Sequence, residues 1–184
     1  MKEKFRIRKK YLLIRKKKYF KIKSNFFNPL LKLIKKKIKK RKINIFGYYP
    51  ASFEVDVLEV LNTSLTKNLV LFLPVIDKNN NMNFHKWKKN DILRINRYGM
   101  PEPAIFSKYQ LPDIVMVPLI AFDNDNNRLG YGKGYYDQYL GKFLKKNRNI
   151  ITIGIAFSFQ KYPKLPTTKN DVKLNYVLTE KGLK

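Results

Sequence analysis

"DIVMVPLIAFDNDNNRLGYGKGYYDQYL", residues 113–140, reads as a strand, a glycine loop and a helix in succession. Residues 113–122 are almost continuously apolar, the pattern of a strand buried on both faces of a sheet, and Pro118 suggests a sheet edge or the strand's C-terminal end. The segment 135–147 reads as a helix. Between them stand three of the chain's 8 glycines, Gly130, Gly132 and Gly134, at alternate positions. In a parallel sheet, the loop that leaves the C-terminal end of a strand and enters a helix binds ligands, because the helix's first amides face it unpaired. Glycines there allow positive φ and close approach of the backbone to an anion, while Arg128 and Lys133 add charge and donors. The pattern points to a phosphate chain, and Asp137, one turn into the helix, suits the magnesium ion that accompanies it.

Three familiar loops fail on spacing. A Walker A loop requires Ser or Thr after its lysine, whereas Lys133 precedes Gly134, and a dinucleotide fingerprint is G-x-G-x-x-G, not G-x-G-x-G. An EF-hand starting with Asp123, Asp125 and Asn127 would have Arg128 in place of its glycine and Gly134 in place of its glutamate.

Outward from this stretch, strand and helix signals alternate. Residues 2–22 lack Gly and Pro and place Phe5, Leu12, Tyr19 and Ile22 about two turns apart, which predicts a basic helix with a narrow apolar stripe. A second helix is expected from Asn28 as N-cap and Pro29 at the first position to a point near Arg41. Strands are expected at 43–49, 69–75, 82–87, 150–157 and 176–179. Residues 50–65 read as a turn entering a helix with Val55, Leu58, Val60 and Leu61 inside. The alternation argues for a three-layer α/β/α fold with a mainly parallel, Rossmann-like sheet, in one domain over 1–184, with the basic N-terminal helices packed on it.

The 184 residues, 44% hydrophobic with 13 Phe and 12 Tyr, suffice for a sizeable core. There is no membrane-length apolar run and no signal-peptide pattern, so the expected location is the cytoplasm. With no cysteine, disulfides, thiolate zinc sites and a cysteine nucleophile are excluded, and the single histidine, His85, excludes a multi-histidine metal site. The formal charge is +27, and residues 1–42 hold twenty basic residues against one acid. Such a block suits a nucleic-acid or anionic-membrane partner, but no recognition module accompanies it, and Lys-, Asn- and Ile-rich stretches along the whole chain fit biased composition.

The segment "VPLIAFDNDNNRLGYGKGYYDQYL" (117–140) resembles the signature of the 5-formyltetrahydrofolate cyclo-ligase family, also called 5,10-methenyltetrahydrofolate synthetases. The likeness extends to "KFRIR" (4–8), "YYPASFEVD" (48–56), "GMPEP" (99–103), "IGIAFSFQ" (153–160) and "LPTTKNDVKLNYVLTE" (165–180). Two positions depart from the family's usual pattern: Asn126 where a hairpin glycine is common, and Val57 where "EVD" is often followed by Thr. Asn tolerates left-handed geometry best after Gly, so the turn should survive.

The resemblance implies ATP- and Mg²⁺-dependent conversion of 5-formyltetrahydrofolate to 5,10-methenyltetrahydrofolate. It implies ATP contacts from Lys4 and Arg8 and from Arg128, Leu129, Gly130, Tyr131, Gly132, Lys133, Gly134, Tyr135 and Tyr136. Folate contacts fall on Tyr49, Glu54, Tyr131, Gly132, Lys133, Gly134 and Tyr135, magnesium on Asp137 and Asp171, and the catalytic charges on Lys133 and Arg128. The expected partners are small molecules, with no specific nucleic acid and no membrane, and the expected state is a monomer. The alternatives are a nucleic-acid-binding protein using the basic segment, or an enzyme of this fold phosphorylating another small substrate.

Overall fold

The computed structural model describes residues 2–39, 42–62, 66–145, 147 and 149–184. Its frame is a seven-stranded sheet ordered β11-β10-β9-β6-β1-β2-β3. The strands are β1 (Ile43–Phe46), β2 (Leu69–Ile76), β3 (Met82–Lys86), β6 (Ile114–Pro118), β9 (Ile151–Ile155), β10 (Tyr176–Thr179) and β11 (Gly182–Leu183). The central strands pair in parallel, with Ile45 opposite Ile114 and Met116 opposite Ile153, while β3 and β11 add antiparallel edges. Every residue of β6 is buried, and its side chains alternate between two cores. Ile114 and Met116 face α2 (Asn28–Lys37) through Leu30, Leu31 and Ile34. Val115 and Val117 face α3 (Tyr135–Leu144) through Tyr139 and Leu140. This is the expected α/β/α layering.

Pro118 marks the C-terminal end of β6, in the middle of the sheet; of the two readings of that proline, the edge is the wrong one. The expected strand to residue 122 therefore divides. Ala121–Phe122 (β7) turns aside and pairs with Arg128–Leu129 (β8) in a hairpin that delivers the glycine loop. A second hairpin, β4 (Leu93–Ile95) with β5 (Pro101–Pro103), was not signalled by the sequence, since two prolines argue against a strand.

Several helix expectations are corrected. The first helix, α1 (Lys2–Lys18), stops before residue 22, because Tyr19 and Phe20 turn to pack on Phe157 with ring centroids 5.9 and 4.7 Å away. Its buried face is Ile7, Tyr11 and Arg15, one turn apart, and Phe5 and Tyr19 of the expected stripe are exposed. Asn28 is not a cap: a 3₁₀ turn at Ser24–Phe27 runs straight into α2, and Asn28 already has helical φ −55° and ψ −41°. The helix ends at Lys37 with Ile38 extended, and Arg41 lies outside the described residues. In place of a helix over 50–65 there is only a 3₁₀ segment, Val57–Asn62; Thr63 to Leu65 lie outside the described residues. Its start is set by Asp56, whose Oδ1 accepts the Leu58 N–H at 2.9 Å, so the Thr hydroxyl that Val57 lacks is not needed to start this turn.

Candidate active site

The strand order reverses between β1 and β6: the chain adds β2 and β3 on one side of β1 and β6, β9 and β10 on the other. The crevice at the C-terminal ends of strands flanking such a switch point is where ligands bind in open α/β sheets. A cavity of about 590 Å³ opens there, walled by Tyr48 and Tyr49 after β1, Pro74 and Ile76 of β2, and Pro118 of β6.

The loop from Arg128 to Tyr136 forms one side of this cavity. Gly132 (φ 104°) and Gly134 (φ 75°) have the positive φ expected of them, and Gly134 stands at the N-cap of α3. Gly130 does not; a Cβ there would lie 2.8 Å from an Arg128 guanidinium nitrogen, so a larger residue would push that side chain aside. Asn126 adopts φ 60°, as expected of a residue replacing glycine in the hairpin. Asp123, the would-be first EF-hand ligand, is buried and accepts the N–H groups of Asp125, Asn127 and Leu165, so its carboxylate organises the turn.

The basic N-terminal helix crosses this loop. Arg8 donates from Nε to the Gly130 carbonyl at 2.8 Å, and its guanidinium carbon lies 3.4 Å from where a Cβ on Gly132 would be. Lys4 pairs with Asp171 at 2.5 Å. Burial alone would raise the Asp171 carboxyl, but hydrogen bonds from Lys4 and from Thr168 outweigh it and hold the group below the ordinary aspartate range. The buried Arg128 pairs with Asp137 at 2.7 Å, and the Val172 N–H donates to the same Asp137 oxygen at 3.1 Å, which brings Asp171 and Asp137 to one end of the cavity. Among the described residues, the hydrogen bonds of Asp137 fall on Oδ1 and those of Asp171 on Oδ2, which leaves the other oxygen of each carboxylate to face a ligand. Two carboxylates beside a phosphate-suited loop fit a hard cation that keeps much of its water. Among the described residues no cluster of three His, Cys, Asp or Glu exists, so the donor set of a transition-metal site is not met.

Glu54 also lines the cavity, in contact with the loop. Its Oε1 accepts the Tyr131 hydroxyl at 2.5 Å and its Oε2 accepts the Ala51 N–H at 2.9 Å. Burial raises the Glu54 carboxyl above the ordinary glutamate range, opposed by those same two hydrogen bonds. The turn before it is left-handed twice over, with Ser52 at φ 49° and Phe53 at φ 63°. Lys133 is exposed at the mouth, its Nζ 5.6 Å from the Tyr98 ring, and the Tyr98 and Tyr135 hydroxyls meet at 2.8 Å.

Every residue that the sequence assigned to the ATP, folate or magnesium site, from Lys4 to Asp171, lines this one cavity. Sequence reasoning gave no role to Asn96, Tyr98 and Met100, which also line it, although the "GMPEP" segment, which contains Met100 and follows the other two, was a signal. It also missed Arg15, behind the wall. His85 lies away from the cavity, held at Nδ1 by Ser107. No helix among the described residues is long and apolar enough to cross a membrane.

Known proteins share this fold. An NMR structure of an Aquifex aeolicus 5,10-methenyltetrahydrofolate synthetase superimposes with a TM-score of 0.73 at 26% identity, over 98% of this chain and 91% of that one. A 5,10-methenyltetrahydrofolate synthetase from Mycoplasma pneumoniae does so with a TM-score of 0.64 at 27% identity, covering 96% and 98%. The 5-formyltetrahydrofolate cyclo-ligase of Haemophilus influenzae is 30% identical over 141 residues, 73% of this chain and 74% of that protein. The family model for 5-formyltetrahydrofolate cyclo-ligases matches residues 1–180. The chain is therefore an enzyme of the 5-formyltetrahydrofolate cyclo-ligase family.

Proposed function

We propose that this protein couples ATP cleavage to ring closure of 5-formyltetrahydrofolate, giving 5,10-methenyltetrahydrofolate, ADP and phosphate, as a monomer acting on small molecules in the cytoplasm. The observation that carries the reading is the placement, in one 590 Å³ cavity, of a buried carboxylate, Glu54, together with a cationic glycine loop. The first suits the N–H donors of a pterin ring, the second a triphosphate.

The formyl group on N5 is an amide: its carbon is a weak electrophile and its oxygen a poor leaving group. Attack of that oxygen on the γ-phosphorus, with departure of ADP, makes the carbon electrophilic and converts the oxygen into phosphate. N10 of the same folate then adds to the carbon, the C–O bond breaks, phosphate leaves, and the N10 proton is lost to solvent. No protein nucleophile is required, and the work of the chain is positioning and charge neutralisation.

In this reading Lys133 and Arg128 neutralise the transferring phosphoryl group, while Lys4 and Arg8, held against the loop by Asp171 and the Gly130 carbonyl, neutralise the rest of the triphosphate. The amides of Gly130 to Tyr136 direct donors at it. Asp137 and Asp171 hold Mg²⁺, which when bound supplies charge neutralisation to the phosphate oxygens. Glu54 and Tyr49 seat the pterin, and Tyr131 and Tyr135 border the bound rings. Arg128 also keeps Asp137 oriented through their 2.7 Å pair.

The test is absorbance at the methenyl-folate band with purified protein, 5-formyltetrahydrofolate and Mg²⁺. A rise that requires ATP is expected; folded protein giving none would overturn the reading. A salt-sensitive affinity for duplex or RNA would then favour the nucleic-acid alternative.

A further inference from the structure

Arg15 is the one fully buried cation of the basic N-terminal helix among the described residues, at 1% exposure, and it does not line the cavity. Burying a guanidinium is costly unless its donors are met, and here each arm is. Nε donates to the Ser52 carbonyl at 3.0 Å, Nη1 to the Leu119 carbonyl at 3.2 Å and Nη2 to the Tyr131 hydroxyl at 2.5 Å. That hydroxyl in turn donates to Glu54 Oε1. The fork thus holds two things at once: the left-handed turn at Ser52 and Phe53 that presents Glu54, and the phenol that fixes the direction of its carboxylate. Leu119, just beyond β6, anchors the fork to the sheet.

We propose that Arg15 is a positioning residue for the folate site: through Tyr131 and the Ser52 carbonyl it sets the orientation of Glu54 before substrate arrives. The inference rests on the folate reading of the cavity. A carboxylate with one lone pair on each oxygen already engaged, by Tyr131 and by the Ala51 N–H, offers its remaining lone pairs in a fixed plane. Such preorganisation improves binding by removing the cost of ordering the group on contact. Lysine cannot replace Arg15, because one ammonium on a flexible stem cannot reach three acceptors in a planar fork.

Steady-state kinetics with each substrate varied, and calorimetric binding of 5-formyltetrahydrofolate, test this on Arg15→Lys, Tyr131→Phe and the double variant. Each single change should raise the folate KM and Kd about tenfold, the scale of one charge-assisted hydrogen bond. The KM for ATP should stay within about twofold, and the double variant should be no worse than the weaker single one, because both cut the same chain of contacts. The ATP readout discriminates: Arg8 and Lys4 share the helix with Arg15, so a merely structural fault would weaken both substrates together. Loss of affinity for both, or unchanged folate affinity in a wild-type-like Arg15→Lys enzyme, would overturn the proposal. Tyr131→Phe keeps the test alive if the arginine variant does not fold. Wild-type protein that binds no reduced folate would overturn the folate reading, and this inference with it; wild-type binding with indifferent variants would overturn this inference alone.

Discussion

Two Gly→Ala changes, at Gly132 and Gly141, should act in opposite directions. At Gly132 the backbone has φ 104°, outside even the small left-handed region open to other residues, and a Cβ would sit 3.4 Å from the Arg8 guanidinium carbon. Holding alanine there costs about 1–3 kcal/mol. The chain can escape that strain only by moving the loop, so the energy should appear as weaker nucleotide binding, and at about 1.4 kcal/mol per decade Gly132→Ala should raise the KM for ATP roughly tenfold or more. Gly141, inside α3, has no positive φ, and a Cβ added to it would meet nothing within 4 Å. Alanine there should stabilise by about 0.5–1 kcal/mol through lower entropy of the unfolded chain. For a chain of this size that is a Tm about 1–4 °C higher, with the ATP KM unchanged. The assays are thermal unfolding and steady-state kinetics. A Gly132→Ala enzyme with wild-type ATP KM, or a destabilised Gly141→Ala, would refute the reasoning.

Lys133→Ala should cut turnover by about 10²–10³-fold with Tm unaltered, as expected when a charge on the transferring group is removed; near-normal kcat would remove the lysine from the reaction. Gly154→Ala puts a methyl 2.7 Å from Leu119 Cδ2 and 2.8 Å from Leu174 Cδ1 in the core and should destabilise by about 1–3 kcal/mol, seen in urea unfolding. Glu54 gives a pH signature. Burial raises its carboxyl, so the folded state holds that proton more tightly than the unfolded one, and its contribution to stability declines as pH rises from the ordinary glutamate range through the raised value. Glu54→Gln should abolish that part of the decline, seen in urea unfolding as pH rises above the ordinary glutamate range, and the same slope in the variant would contradict it.

The sheet was legible because its strands are apolar runs of ordinary length, and "DIVMVPLIAF" is one buried on both faces. Its termination at Pro118 was half legible: a proline says that the ladder stops, but only the sheet order says that the stop is in the middle. The α1 face was misread because periodicity weighs apolar residues, and the buried register at Ile7, Tyr11 and Arg15 includes a cation. No local signal marks Arg15 among twenty basic residues, since its meaning lies in three oxygens 37 to 116 positions away. The helix expected over 50–65 failed for a related reason: Ser52 and Phe53 adopt left-handed conformations that their residue types disfavour, imposed by tertiary contacts such as the one from Arg15 to Ser52. The glycine loop, by contrast, declares itself, because close backbone approach needs glycine wherever it occurs.

Transfer of the formyl oxygen is the most direct test of the account. With 5-formyltetrahydrofolate labelled with ¹⁸O in its formyl group, single-turnover reaction with ATP and Mg²⁺ should place the label in the released phosphate, read by mass spectrometry. Label recovered in water, with unlabelled phosphate, would mean that the oxygen leaves without being phosphorylated and would contradict the proposed chemistry.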